Sequence, residues 1–143
     1  MADTVTLVDY YYATVPDKPG EAARLLGLLR DAGVNLLAFS GFPEGRRAQL
    51  DFIPVNGTNF LAVAKAAKVK LSRPKKGFLI SGDDRVGAMA DVCGKLSAAK
   101  INITAVDAVC GGAGRYGAIL WVKARDVKKA AKTLGAMPGA TGG

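Results

Sequence analysis

The sequence predicts an α+β fold: two ferredoxin-like βαββαβ repeats, each an antiparallel sheet with helices on one face. Three observations lead there. Asp17-Lys18-Pro19-Gly20 and Asp84-Arg85-Val86-Gly87 spell the same Asp-x-x-Gly turn at an offset of 67 positions. The offset then continues without a gap, placing Leu29 on Leu96, Asn35 on Asn102, Val55 on Val122 and Lys65 on Lys132. In both halves the apolar spacing runs strand, helix, strand, strand, helix. A unit of this length exceeds the roughly 20–50 residues of solenoid repeats and suits a small duplicated domain. Residues 1–72 are the first repeat, 73–76 a linker, and 77–143 the second repeat with a flexible tail from about residue 137.

Residues 5–15 are dense in β-branched and aromatic side chains and read as a strand. Asp17 is placed to cap the next helix, and Pro19 suits a first turn, where a missing N–H costs little. Ala22, Leu25, Leu26, Leu29 and Ala32 recur at helical spacing, and Gly33 ends the helix where a left-handed residue is favoured. Residues 34–42 and 49–55 read as strands around a turn at 43–46, with Pro54 marking an edge or a bulge. Thr58 or Asn59 caps a second helix that turns Phe60, Val63, Ala64 and Ala67 inward, and residues 69–72 are a candidate fourth strand.

The second half repeats this order. Residues 78–81 are a strand, and Met89, Val92, Cys93, Leu96 and Ala99 line a helix. Residues 101–109 and 116–122 are strands, and Val127, Ala130, Ala131 and Leu134 line the last helix. No counterpart of residues 69–72 is visible, so a closing strand is expected only in the first repeat.

The chain has 143 residues, 50% hydrophobic and 22% charged, a globular composition. Halves this small bury only about 60% of their unfolded surface alone, so a shared core, a continuous sheet or a dimer interface is expected. The longest uncharged stretch, residues 52–64, is shorter than the roughly 20 apolar residues of a membrane span and is interrupted by polar residues. The first residues lack the basic and apolar runs of a signal peptide, and a cytoplasmic location is expected. Two cysteines and no histidine fit that compartment.

Without histidine, the commonest general base and metal ligand is missing, so no catalytic residue, metal or cofactor is expected. Cys93 reads as core, and Cys110 ends a strand beside glycines. Residues 112–117 match the glycine pattern of a dinucleotide site, but that pattern requires a following helix, and here a strand follows. The aromatic residues do not fit the stacking signature of an RNA-binding sheet. The net charge is +8, with basic runs at 65–76 and 123–132. Such runs suit an anionic partner, yet solvated helix faces and strand ends are the plainer reading, and nucleic acid is not the expected partner.

The repeated turn is the strongest signal. Each copy runs Asp-x-x-Gly, then a helix, then Gly33-Val34-Asn35-Leu36 or Lys100-Ile101-Asn102-Ile103. Helix N-termini present free N–H groups and partial positive charge suited to a carboxylate. An asparagine at the next strand offers donor and acceptor to an ammonium or an amide. Together they suit a zwitterionic amino acid. The same residues also serve plain structure, with aspartate capping, glycine allowing close packing and asparagine shaping a turn. The residues alone leave both readings open.

Asp17 to Gly20, the helix after it, and residues 33–36 resemble the ACT domain, a small-molecule-sensing regulatory module. Residues 84–103 resemble a second copy, with Val86 in place of proline and Lys100 in place of glycine. The likeness spans about residues 5–135 and looks like a stand-alone tandem ACT protein. It implies βαββαβ units, pairing side by side or across a homodimer, and amino-acid sites between paired domains. By that resemblance Asp17, Lys18, Pro19, Gly20, Asp84, Arg85, Val86 and Gly87 line the pocket through their backbone. Asn35 and Asn102 contribute side chains, and Leu36 and Ile103 backbone groups. Pro19 lacks an N–H that Val86 keeps, so the two sites are not expected to be equivalent.

The expectation is therefore a non-enzymatic regulatory protein that binds a free amino acid or similar small molecule and acts through a regulated protein partner or its own assembly. The alternatives are a basic nucleic-acid-binding protein and a structural dimerisation module.

Overall fold

The computed structural model describes residues 3–139. Their elements follow the order β1 (Thr4–Pro16), α1 (Glu21–Asp31), β2 (Leu36–Glu44), β3 (Arg47–Pro54), α2 (Gly57–Ala66), β4 (Lys75–Asp83), α3 (Ala88–Ala98), β5 (Ile103–Gly112), β6 (Arg115–Val122), α4 (Val127–Leu134) and β7 (Met137–Pro138). A short 3-10 turn, Ala124–Asp126, leads into α4. The chain forms two compact units, one of residues 9–75 and one of residues 3–8 with 76–139.

In the unit of residues 9–75 the strands lie in the order β2-β3-β1, antiparallel throughout, with Tyr11 opposite Phe52 and Phe39 opposite Phe52 on its other side. Leu25 and Leu29 of α1 and Phe60 of α2 pack on Tyr11, Leu50 and Phe52. The rings make a chain of tilted contacts, 5.3 Å for Phe39–Phe52, 5.4 Å for Phe52–Phe60 and 5.5 Å for Tyr11–Phe60, favoured by their quadrupoles. Residues 69–72 do not form the expected strand. Two bonds hold them to β1, from the Ser72 N–H to the Tyr12 carbonyl at 2.8 Å and from the Tyr12 N–H to Ser72 Oγ at 3.0 Å. Pro74 has no N–H with which to extend a ladder.

In the other unit the strand order is β5-β6-β4-β1, and β7 lies parallel to β1 with Thr6 opposite Met137 and Leu7 opposite Pro138. Val5, Phe78, Ile80, Val92, Leu96, Leu120 and Ala130 form the core. The sequence placed residues 1–72 in one repeat. Residues 4–8 instead belong with the second unit, because Val5 is buried against that unit's strands and helices. The expected linker already holds the start of β4 at Lys75. The expected tail begins with a strand, and the Gly139 N–H donates to the Leu7 carbonyl at 2.8 Å. Its last residues, 140–143, lie outside the described residues.

The duplication is written most clearly at the helix ends. After each helix one residue has positive φ: Gly33 at 72°, Lys68 at 57°, Lys100 at 60° and Gly135 at 65°. The next N–H closes a six-residue ring in every case, from Val34 to Leu29, Val69 to Ala64, Ile101 to Leu96 and Ala136 to Ala131, each at 2.9 Å. At the start of α1 and α3 the N-caps are Gly20 at φ 92° and Gly87 at φ 80°, a conformation that favours glycine. Asp17 therefore does not cap α1, and the cap of α2 is Asn56, whose Oδ1 accepts from the Asn59 N–H at 3.1 Å.

The gapless offset is interrupted between these points. Tyr11 pairs with Phe52 but Phe78 with Leu120, so β6 stands 68 positions from β3. A register shift between Cys110 and Gly112 takes up the extra residue. The shift between Leu36 and Ala38 recurs between Ile103 and Ala105 and lies beside Pro54, fitting the expected bulge.

Candidate functional site

The two Asp-x-x-Gly turns differ in their surroundings. In the first, Asp17, Lys18, Pro19 and Gly20 are all exposed, and the Lys18 N–H donates to the Pro16 carbonyl at 3.0 Å. In the second, the Asp84 N–H donates to the Gly114 carbonyl at 2.9 Å, and Cys110 Sγ donates to Asp84 Oδ1 at 3.2 Å. Val86 is fully exposed. Arg85 points back into its own unit. Its Nη1 donates to Asp3 Oδ1 at 2.9 Å, and its Nη2 to Asp3 Oδ2 at 3.3 Å and Asp91 Oδ2 at 3.1 Å. The hydrogen bonds to Asp3 and Asp91 hold its guanidinium firmly protonated. The sequence reading assigned Arg85 a backbone role and missed these partners. Gly82 was the available signal, a glycine inside a strand where the first repeat has Val15.

The asparagines stand after the left-handed residues. Asn35 is exposed, and its carbonyl accepts the Val55 N–H at 3.0 Å, while Leu36 is half-buried at the head of β2. Asn102 and Ile103 line an open depression of about 480 Å³ with Cys93, Ser97, Lys100 and Ile101. Asp84, Arg85 and Gly87 line a different depression of about 300 Å³ with Ala88, Val109, Cys110 and Tyr116. The second turn and Asn102 thus line two separate depressions. Neither α1 nor α3 has a side-chain cap, which leaves first-turn N–H groups for another acceptor.

Reactive groups offer little chemistry. Cys110 is exposed, and the Asp84 hydrogen bond pushes its thiol up, away from the nucleophilic thiolate. Cys93, expected in the core, is half-buried at the edge of the Asn102 depression. Residues 112–117 close the β5–β6 hairpin, where Ala113 and Gly114 both take positive φ, and a strand follows them. Among the described residues no group of three or more metal-ligating side chains occurs, and no helix is long and apolar enough to cross a membrane. Lys123, Arg125, Lys128, Lys129 and Lys132 are exposed and make no ion pair among the described residues.

No family model matches the sequence, and no curated protein matches it. Solved structures do match. The chain superposes on protein BT0572 from Bacteroides thetaiotaomicron with a TM-score of 0.79 at 17% identity, covering 92% of this chain and 88% of that one. The regulatory subunit of aspartate kinase from Thermus flavus matches with a TM-score of 0.63 at 16% identity, covering 94% and 95%. A structure of aspartokinase alpha and beta subunits matches with a TM-score of 0.61 at 17% identity, again covering 94% and 95%. The fold is ACT-like. At these identities the likeness is one of architecture, with antiparallel strands and helices on one side.

Proposed function

We propose that this chain is a non-enzymatic regulatory protein that binds a free amino acid or similar small molecule. Its sites lie where ACT-like repeats of two copies pair, and it acts in the cytoplasm on a separate protein or through its own assembly. The observation that supports this most is the repeated pair of uncapped helix starts, each behind a left-handed glycine, with an exposed asparagine beyond each helix. A carboxylate is the natural acceptor for the N–H groups of residues 20–22 and of residues 87 and 89, the Ala88 N–H being taken by the Arg85 carbonyl at 3.3 Å. Asn35 and Asn102 supply the groups for the ammonium end. Similarity to proteins described as regulatory subunits supports the same reading.

The test is a thermal-shift panel of the twenty amino acids on the whole chain, followed by calorimetry. A ligand present at about 100 times its Kd stabilises the folded state by about 2.7 kcal/mol. Asn35→Ala should weaken the response. A flat panel at millimolar ligand removes the proposal.

The exposed cations of residues 123–132 favour a second reading, a polyanion-binding protein. Retention on heparin or mixed RNA that collapses with added salt would support it over the first.

A further inference from the structure

We propose that Arg85, Tyr116 and Gly82 form a carboxylate receptor that the chain's own Asp3 fills, and that a small free carboxylate competes for it. The proposal rests on the amino-acid reading for the identity of the natural ligand, and adds a second carboxylate-holding group, Arg85, beside the start of α3 in the second repeat.

Four features describe a receptor rather than a surface ion pair. Both Asp3 oxygens meet both terminal nitrogens of Arg85, the fork-to-fork geometry that makes arginine selective for carboxylates. The Asp3 side chain is only 11% exposed. Gly82 makes room for it: a Cβ there would collide with Asp3 Oδ1 and stand 2.9 Å from Tyr116 Cε1. Tyr116 is 5% exposed, and its buried hydroxyl makes no bond of ordinary geometry. Burial and the neighbouring Asp3 carboxylate together push that phenol up to about 12, so it stays a neutral donor.

The receptor outlasts its occupant. Asp91 holds Arg85 Nη2 from the other side, and the Asp83 carbonyl lies 3.5 Å from Nη1. Removing Asp3 therefore leaves a guanidinium in place with two donors free. The depression lined by Asp84, Ala88, Val109 and Cys110 also reaches Arg85 and Tyr116, which gives a solute access to both groups. In the intact chain a free carboxylate must compete with a tethered one, whose effective concentration is of millimolar order or above.

The experiment compares the melting of the full wild-type chain and Asp3→Ala in sodium chloride and in sodium acetate at equal ionic strength. Asp3→Ala should melt lower in chloride. Acetate should raise its melting temperature saturably, on the order of a few degrees, and leave the wild type unchanged over the same range. Asp3→Ser, whose shorter side chain leaves the place of the carboxylate open, should respond likewise if Asp3→Ala folds poorly. Adding Arg85→Gln should abolish the response. Folded Asp3 variants that melt identically in both salts overturn the proposal, as does an equal acetate shift in wild type and variant. A silent amino-acid panel on the wild type would remove the functional reading above and leave an acetate response standing.

Discussion

Arg85 and Asp3 bond at 2.9 Å across 82 positions of sequence, tying the second Asp-x-x-Gly turn to the start of β1. The pair makes stability depend on acid. The Arg85 hydrogen bond holds the Asp3 carboxyl below its ordinary value, against the opposing effect of burial. In the unfolded chain that carboxyl protonates near pH 3.9. Its contribution is therefore complete above about pH 4 and is lost as pH falls through the lower folded value. Denaturant melts should show wild type above Asp3→Asn at pH 7, with the gap narrowing on strong acidification. A gap independent of pH would contradict this.

Asp51 should show the opposite sign. It is 5% exposed, and burial raises its carboxyl more than the Gln49 hydrogen bond at 2.9 Å lowers it. Folding then disfavours the ionised form, so the stability present below the unfolded value near 3.9 is lost as pH rises from there through the raised folded value. Asp51→Asn should gain on the wild type between pH 4 and pH 7. Parallel stability curves for the two proteins would refute it.

Lys68 and Lys100 occupy left-handed positions that their counterparts Gly135 and Gly33 fill without strain. Lys68→Gly and Lys100→Gly should each stabilise the protein by about 0.5–1 kcal/mol, after allowing for the greater freedom of glycine in the unfolded chain. Gly33→Lys should cost a similar amount. Chemical denaturation of the three variants checks all of this.

Phe52 makes two ring contacts, with Phe39 and Phe60, and faces Tyr11 across the strand pair. Phe52→Ala should cost about 3–5 kcal/mol. A loss below about 1 kcal/mol would mean that this cluster is not the stabilising centre of its unit.

What the sequence disclosed follows from how local each signal is. The inward faces of α1 and α3 are set by residues three and four apart, and Leu25, Leu29, Val92 and Leu96 are buried as expected. Gly33 and Lys100 were aligned by the repeat, and both end a helix in the same conformation. The unread parts are long-range. Nothing local distinguishes residues 4–8 from the rest of a continuous strand, and the partner of Arg85 lies at the far end of the sequence. The extra residue between Cys110 and Gly112 is hidden because the offset of 67 returns by α4, at Lys68 and Gly135. For the candidate site, spacing aligned Asn102 with Asn35 but said nothing of which depression each would border.

β1 also bears on how the gene can be divided. One unbroken strand serves two units, through residues 4–8 in one and 9–16 in the other. Cutting the reading frame at the apparent junction near residue 75 would produce a C-terminal fragment short of a strand and of the carboxylate at position 3. A synthetic peptide carrying residues 3–8 is the natural complement to that fragment, and their reassembly would turn this shared strand into a split-protein switch.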